Sequence, residues 1–244
     1  QSLHGGVKYS NKKVAFRAGA TWRNFGDLAG GDTTGRQIPT GYKEIDFDVK
    51  GKILLSPSSD LTLSYQTVNQ NDIPVYHKIV LENYAVNKTD PQNRHLAYLK
   101  LNQKINSGIV KSAMLRASFQ YSEEGRAFRR NGSSVLRTEN DQVYSSAFSA
   151  EAYTKKGSVW SANSGLEVYH DLVKSTRFDM DQSNDETESK RGLYPDGANM
   201  TSIAVFSVHT FDLQDWNFTA GARFNPFVIQ VTDGNMSATC PWHL

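Results

Sequence analysis

Apolar and polar residues alternate with a period of two along much of this chain, most clearly between Glu44 and Gln66. Ile45, Phe47, Val49, Ile53 and Leu55 share one parity, interrupted only by Gly51, while Asp46, Asp48, Lys50 and Lys52 hold the other. An extended strand with that order has one apolar and one charged face. Ser56, Pro57, Ser58, Ser59 and Asp60 form a turn, after which Leu61, Leu63 and Tyr65 resume the apolar face and Thr62, Ser64 and Gln66 the polar one. The two halves predict a long antiparallel hairpin. A soluble sheet packed on a second sheet shows the same alternation, so the decision rests on how it repeats.

It repeats with a regular spacing. Leu3–Tyr9 is a short strand candidate, and Val14–Asn24 alternates with Trp22 on its apolar face. Leu96–Leu101, Gly108–Ser122, Val143–Tyr153, Val159–His170, Thr201–Phe211 and Trp216–Asn225 are further strands. Ser10–Lys13, Lys104–Ser107, Thr154–Gly157 and Asp212–Asp215 read as tight turns. Asp27–Tyr42, Asn69–Arg94, Glu123–Asn140 and Asp171–Asn199 read as long loops, and the pattern fades in the final stretch from Val231 to Leu244. Short turns and loops of about 15 to 30 residues therefore alternate, as they do in a barrel inserted into a membrane from one side. The expected fold is all-β: an antiparallel up-and-down transmembrane β-barrel segment of about ten strands, with short periplasmic turns and long extracellular loops. Trp22, Tyr65, Tyr121, Trp160, Phe211 and Trp216 recur on the apolar parity near strand ends, where two girdles of aromatics would anchor such a barrel.

Composition does not oppose this. The hydrophobic share of 38% and mean hydropathy of −0.54 look soluble, but alternation halves the apparent hydrophobicity of a membrane strand. No run of about 18 apolar residues is present, so a transmembrane helix is not expected. A net charge of +2 is too mild for a nucleic-acid partner. The single Cys240 excludes an internal disulfide framework. The polar start Gln1–Gly6 is not a signal peptide and points to a mature chain or an excised piece.

The motifs GATWRNFGDL, SYQTVNQNDIPVYHK, GLEVYHDLVKS, RGLYPDGA (Arg191–Ala198) and WNFTAGARFNPF resemble, in that order, the barrel of TonB-dependent outer-membrane receptors of the siderophore, haem and cobalamin group. The resemblance runs from about Val14 to Phe227. It implies a bacterial outer-membrane location, import of a scarce metal chelate or similar nutrient, a monomeric barrel of about 22 strands, and an amino-terminal plug that contacts the TonB complex. Neither plug nor aromatic closing strand is in the sequence, so residues 1–244 are expected to be one partial barrel domain, without transport activity alone. Its edges would be Leu3–Tyr9 and Trp216–Phe227. The alternatives are a passive porin-like channel, or a soluble β-sandwich adhesin or carbohydrate-binding module. The sequons at Asn87, Asn131, Asn199, Asn217 and Asn235 would suit the last of these.

No catalytic constellation, nucleophile elbow or phosphate loop is present, so an enzyme is not expected. No cofactor is expected. Cargo contacts are expected in loops, at Asp32, Arg36, Tyr76, His77, Arg191, Tyr194 and Asp196. His77, His170 and His209 would be axial ligands if the cargo is haem, with His77 best placed. Asp179, Asp181 and Asp185 crowd carboxylates as a calcium loop does, although Asn184 and Lys190 stand where such a loop needs Gly and Glu; a solvated acidic loop is the plainer reading. Arg17, Arg23, Arg116 and Arg223 fall on the polar parity, either to pair with carboxylates such as Asp46, Asp48 and Glu167 and with a plug, or to form an anionic substrate path.

Overall fold

In the computed structural model, residues 1–31, 33–105, 108–233 and 236–240 are described, the side chains up to residue 232. In chain order the elements are β1 (Ser2–Ser10), β2 (Val14–Phe25), β3 (Leu28–Ala29), β4 (Arg36–Gln37), β5 (Tyr42–Ser56), β6 (Ser59–Asn71) and β7 (Ile73–Pro74). The helix α1 (Tyr76–Leu81) precedes β8 (Tyr84–Lys104), β9 (Val110–Arg130), β10 (Val135–Lys156) and β11 (Trp160–Asp181). β12 (Glu186–Arg191), β13 (Asn199–Leu213), β14 (Trp216–Phe224), β15 (Phe227–Asp233) and β16 (Met236–Cys240) complete the chain. All but β3 and β4 belong to one 14-stranded sheet, which passes through β1-β2-β5-β6-β8-β9-β10-β11-β13 and on to β15-β16, with β14 also on β13. Every pairing is antiparallel. β1 forms one edge; at the other end β14 pairs with β13 along its lower part, and β16 pairs with β15 along the upper part.

The sheet is inside-out by the standard of a soluble domain. Its described buried apolar residues are two alanines, Ala162 and Ala204, whereas Glu44, Asp141 and Asp179 are buried. Leu3, Phe47, Leu63, Leu99, Leu115, Phe119, Leu166, Val205 and Phe224 are exposed. The register keeps them on one face: Phe16 lies opposite Gly51, Gly51 opposite Leu63, Leu63 opposite Leu99 and Leu99 opposite Ala117. Water does not tolerate so broad an apolar face. Lipid does, and among the described residues no second layer packs on this one, which speaks against a sandwich.

Two aromatic rows bound that face. Phe47, Tyr65, His95, Tyr121 and Tyr144 run across five strands with successive ring centroids 6.4, 6.3, 5.8 and 5.1 Å apart. Near the short turns, Trp160 stacks on His209 at 5.8 Å, lies opposite Phe211, and is followed by Phe218 and Trp216. On β10 the first row stands at Tyr144 and the second at Lys156, the partner of Trp160. That interval is about 40 Å of strand at about 3.3 Å per residue, or about 28 Å of height at the roughly 45° tilt of membrane strands. This is one bilayer core.

The ten strands expected from the alternation are present, but three of the four long loops are not loops. Asn69–Arg94 contains the end of β6, β7, α1 and the start of β8; Glu123–Asn140 is mostly β9 and β10; Asp171–Asn199 contains the rest of β11 and all of β12. The strands continue upward as tall hairpins, β9 and β10 turning in Asn131–Ser134 and β11 and β12 in Gln182–Asp185. Above the aromatic row both faces are polar, so the period-two signal vanishes while the hydrogen-bonded ladder goes on. The final stretch, read as patternless, holds the end of β15 and all of β16. The described residues between β2 and β5 carry only the two-residue ladder of β3 and β4 and otherwise form a loop, as expected. Asn106 and Ser107 of one expected turn, the sequon at Asn235 and residues Pro241–Leu244 lie outside the described residues.

Candidate functional site

The upper, polar face of β9, β10 and β11 carries the densest charge network. Arg126 bonds Asp141 and lies 3.5 Å from Glu139 and 3.6 Å from Glu124. Asp141 accepts a 2.5 Å hydrogen bond from the Ser175 hydroxyl. Higher up, Asp179 receives Arg137 at 2.9 Å and Arg177 at 2.7 Å, with Lys190 at 3.7 Å. The guanidinium of Arg177 and then that of Arg137 hold the Asp179 carboxyl far below the usual carboxylate range, although burial opposes them. The alternation continues here with charge on both parities, so hydrophobic periodicity gives no sign of the network.

The segment Gly192–Ala198 folds down onto β11 beside this network. The Tyr194 amide donates to the Ser175 hydroxyl at 3.1 Å, and the Ser175 amide donates to Asp196 at 3.0 Å. Gly197 and Val173 exchange further backbone bonds with it, Gly197 N to Val173 O at 3.0 Å and Val173 N to Ala198 O at 2.8 Å. Gly192 permits the approach, because a Cβ there would stand 2.2 Å from the Ser175 hydroxyl oxygen. Tyr194 is thereby placed over a cavity of about 490 Å³ lined by Gln70, Gln92, Arg94, Ser122, Glu124, Arg126 and Asp141. Its size suits a small ligand.

The sequence-derived cargo residues fall in separate places. Arg36 sits on β4, 3.2 Å from Asp27, whose carboxyl is held low chiefly by the amides of Thr40 and Gly41. Asp32 lies outside the described residues. Tyr76 and His77 open α1, and the His77 ring is 3.9 Å from Glu82. Arg191 ends β12, Tyr194 lines the cavity, and Asp196 anchors the segment that carries Tyr194. Sequence reasoning passed over Arg126, Asp141 and Ser175, which meet only through register: Asp141 lies opposite Ser175 and Arg126 opposite Glu139.

His170 bonds Thr201, and His209 bonds Trp160 and Ser207. Both rings are committed to neighbouring side chains of the sheet, on the parity of the lipid-facing residues. Asp179 is occupied by cations, Asp181 accepts from the amide and hydroxyl of Ser183, and Asp185 is a turn residue with φ of 58°. The three do not converge, and no group of metal-ligating side chains is found among the described residues. Three of the four polar-face arginines meet carboxylates of the same face: Arg17 to Asp48 at 3.3 Å, Arg23 to Asp46 and Glu44, and Arg223 to Glu167 at 2.6 Å.

No family model matches the chain, and no curated protein is similar to it in sequence. Solved structures share its fold. Over 98% of this chain and 38% of the other, it superposes on the copper transporter OprC with a TM-score of 0.73 at 11% identity. P. aeruginosa FpvA bound to heterologous pyoverdines matches 99% of this chain over 37% of its own, with a TM-score of 0.69 and 10% identity. The siderophore receptor PiuA from Acinetobacter baumannii matches 98% over 42%, with a TM-score of 0.59 and 12% identity. The chain thus spans well under half the length of these proteins. Its fold is that of one part of their β-barrels.

Proposed function

We propose that residues 1–244 are one part of the barrel domain of a TonB-dependent receptor, which imports a scarce metal chelate across the bacterial outer membrane. The observation that carries this reading is the inside-out sheet: a lipid-facing apolar band one bilayer thick, with strands that rise past it on one side only. Passive channels need no such tall polar superstructure, whereas a receptor must capture dilute cargo before moving it. The cargo would be met by the upper polar face, through Tyr194 above the cavity and through the loop and rim residues Arg36, Tyr76, His77, Arg191 and Asp196; Asp32, outside the described residues, is a further candidate. Haem, siderophore and copper chelates remain competing cargoes for this surface, and among the described histidines His77 is the one best placed to meet a haem iron. The partners are the lipid bilayer, the chelate and, through a plug, the TonB complex of the inner membrane.

The test is uptake of radiolabelled iron and copper chelates by cells making the whole receptor, with the inner membrane energised or uncoupled. Uptake of one chelate that falls at least tenfold on uncoupling supports the reading. Uptake indifferent to energisation, together with steady ion conductance in planar bilayers, would replace it with a passive channel. Alanine at Tyr76 and His77 together should weaken chelate binding, and unchanged affinity would remove that pair.

A further inference from the structure

Arg116 is the exception among the four polar-face arginines. It lies directly opposite Lys100 in the β8–β9 ladder, and neither makes an ion pair or a side-chain hydrogen bond among the described residues. Lys50, on the same face, places its ammonium 5.9 Å from the centroid of the Tyr98 ring and pairs with no carboxylate among the described residues. The positive row continues toward the β1 edge, with Arg17 opposite Lys50 and Lys8 opposite Arg17. The acids nearby are committed elsewhere: Asp48 to Arg17 at 3.3 Å, and Asp60 to Lys52 at 3.3 Å and Asn102 at 2.9 Å.

Like charges directly opposite one another on neighbouring strands destabilise a sheet. With lipid behind the sheet the repulsion is screened less than it would be on a fully hydrated surface. Yet Lys100 and Arg116 border a cavity of about 400 Å³, together with Lys50, Thr62, Tyr98 and Ser118. Leu96 also lines it; each of the other side chains is a cation or bears a hydroxyl and so can donate a hydrogen bond, and no carboxylate of the described residues lines the space.

We infer that this cavity is an oxyanion site at membrane level, in which Arg116 offers its planar fork to a carboxylate or phosphate while Lys100 and Lys50 supply point charges. It rests on the reading of this face as a barrel lumen. The oxyanion has two sources: an anionic group on cargo passing through the lumen, or an Asp or Glu of a protein segment lodged there.

The whole receptor, purified in detergent, is titrated calorimetrically with citrate at low and high salt. The variants are the Lys100→Gln/Arg116→Gln double, the charge-conserving Arg116→Lys, and Lys52→Gln as a control already paired with Asp60. Salt-sensitive citrate binding, weakened at least tenfold in the double variant and within twofold in the control, supports the site and names a free anion. No citrate binding, with a lower melting temperature in the double variant than in the control, supports the site and names a protein carboxylate. If the double variant melts as high as the wild type or higher, and citrate binding is absent or unaltered, the inference is overturned, because relief of repulsion is then all the substitutions do. Should the double variant fail to fold, Arg116→Lys carries the same comparisons, losing the fork but not the charge. Energised uptake is measured separately, so a receptor that imports nothing overturns the transport reading while the titration still decides the anion site.

Discussion

The two halves of β10 obey the same hydrogen-bonded ladder and live in different solvents. From Tyr144 down to Lys156 one face is apolar, with Phe148, Ala150 and Ala152, and the other carries Ser149 and Glu151. From Gln142 up to Arg137 both faces are polar: Gln142, Asn140 and Thr138 on one side, Asp141, Glu139 and Arg137 on the other. The lower half is held at its outer face by lipid, and the upper half by ion pairs to β9 and β11. Continuous pairing with β11 from Val135 to Lys156 shows that the backbone ladder does not depend on which of the two is at work.

The largest test of that contrast is a single charge placed on the same face at two heights. Leu166 lies opposite Ala150, midway between the aromatic rows, and Thr138 lies well above them. Leu166→Arg should destabilise the receptor by about 2–4 kcal/mol in urea titrations in lipid vesicles, as arginine does at a bilayer midplane. Thr138→Arg should stay within about 0.5 kcal/mol, the usual effect of a surface change. Equal losses at both sites would mean that no lipid boundary lies between them.

Next comes the segment that seats Tyr194. Gly192→Ala pushes a methyl group into the Ser175 hydroxyl and backbone, an overpacking cost of about 1–3 kcal/mol. It should be felt only in the upper half, as faster hydrogen exchange at the Val173 amide, which donates to Ala198. Unchanged exchange there would show that the segment is not held by this contact.

Asp179→Asn should follow, with a cost of about 1–2 kcal/mol to local opening of the β10–β11 hairpin, since Arg137, Arg177 and Lys190 would then face one another without their carboxylate. Exchange of the hairpin amides reads this. Loss spread equally to the membrane-level strands would refute the independence of the two halves.

The membrane-level half was legible in the sequence because its solvent writes a strong pattern. Lipid on one side and a polar interior on the other force opposite chemistry onto successive residues, so Ile45 to Gln66 could be placed by parity alone, and the polar-parity arginines could be set on one face with carboxylates such as Asp48, though not which arginine meets which. The upper half was not legible. Water wets both of its faces, the charges of Glu123–Asn140 look like those of a loop, and nothing local distinguishes a 22-residue strand from a shorter one with a tail. For the same reason Asp196 reads as a free loop carboxylate, when its oxygen is bound to the Ser175 amide. RGLYPDGA was informative as a motif, and its glycine and aspartate turn out to seat the segment on β11. What the motif could not show was the partner, because Ser175 sits 17 residues before Gly192 and meets it only once β11 and β12 have paired.

Acid should separate the halves more gently than any substitution. Asp179 is titrated from a folded-state value held well below its ordinary one, so the group binds protons more readily in the opened hairpin than in the closed one. The stabilisation it supplies is therefore fully present above the ordinary aspartate value of about 3.9 and falls away only as pH drops through the lowered folded value. Hydrogen exchange in the β10–β11 hairpin should be unaffected by Asp179 between pH 7 and 5 and should begin to quicken only below about pH 4. In Asp179→Asn that acid dependence should shrink, because the titrating group is gone while the arginines keep their charge throughout. The membrane-level strands near Leu166 should show neither change, their outer face being apolar. An acid response that begins at pH 6, or one that Asp179→Asn leaves intact, would assign the upper half's stability to some other group.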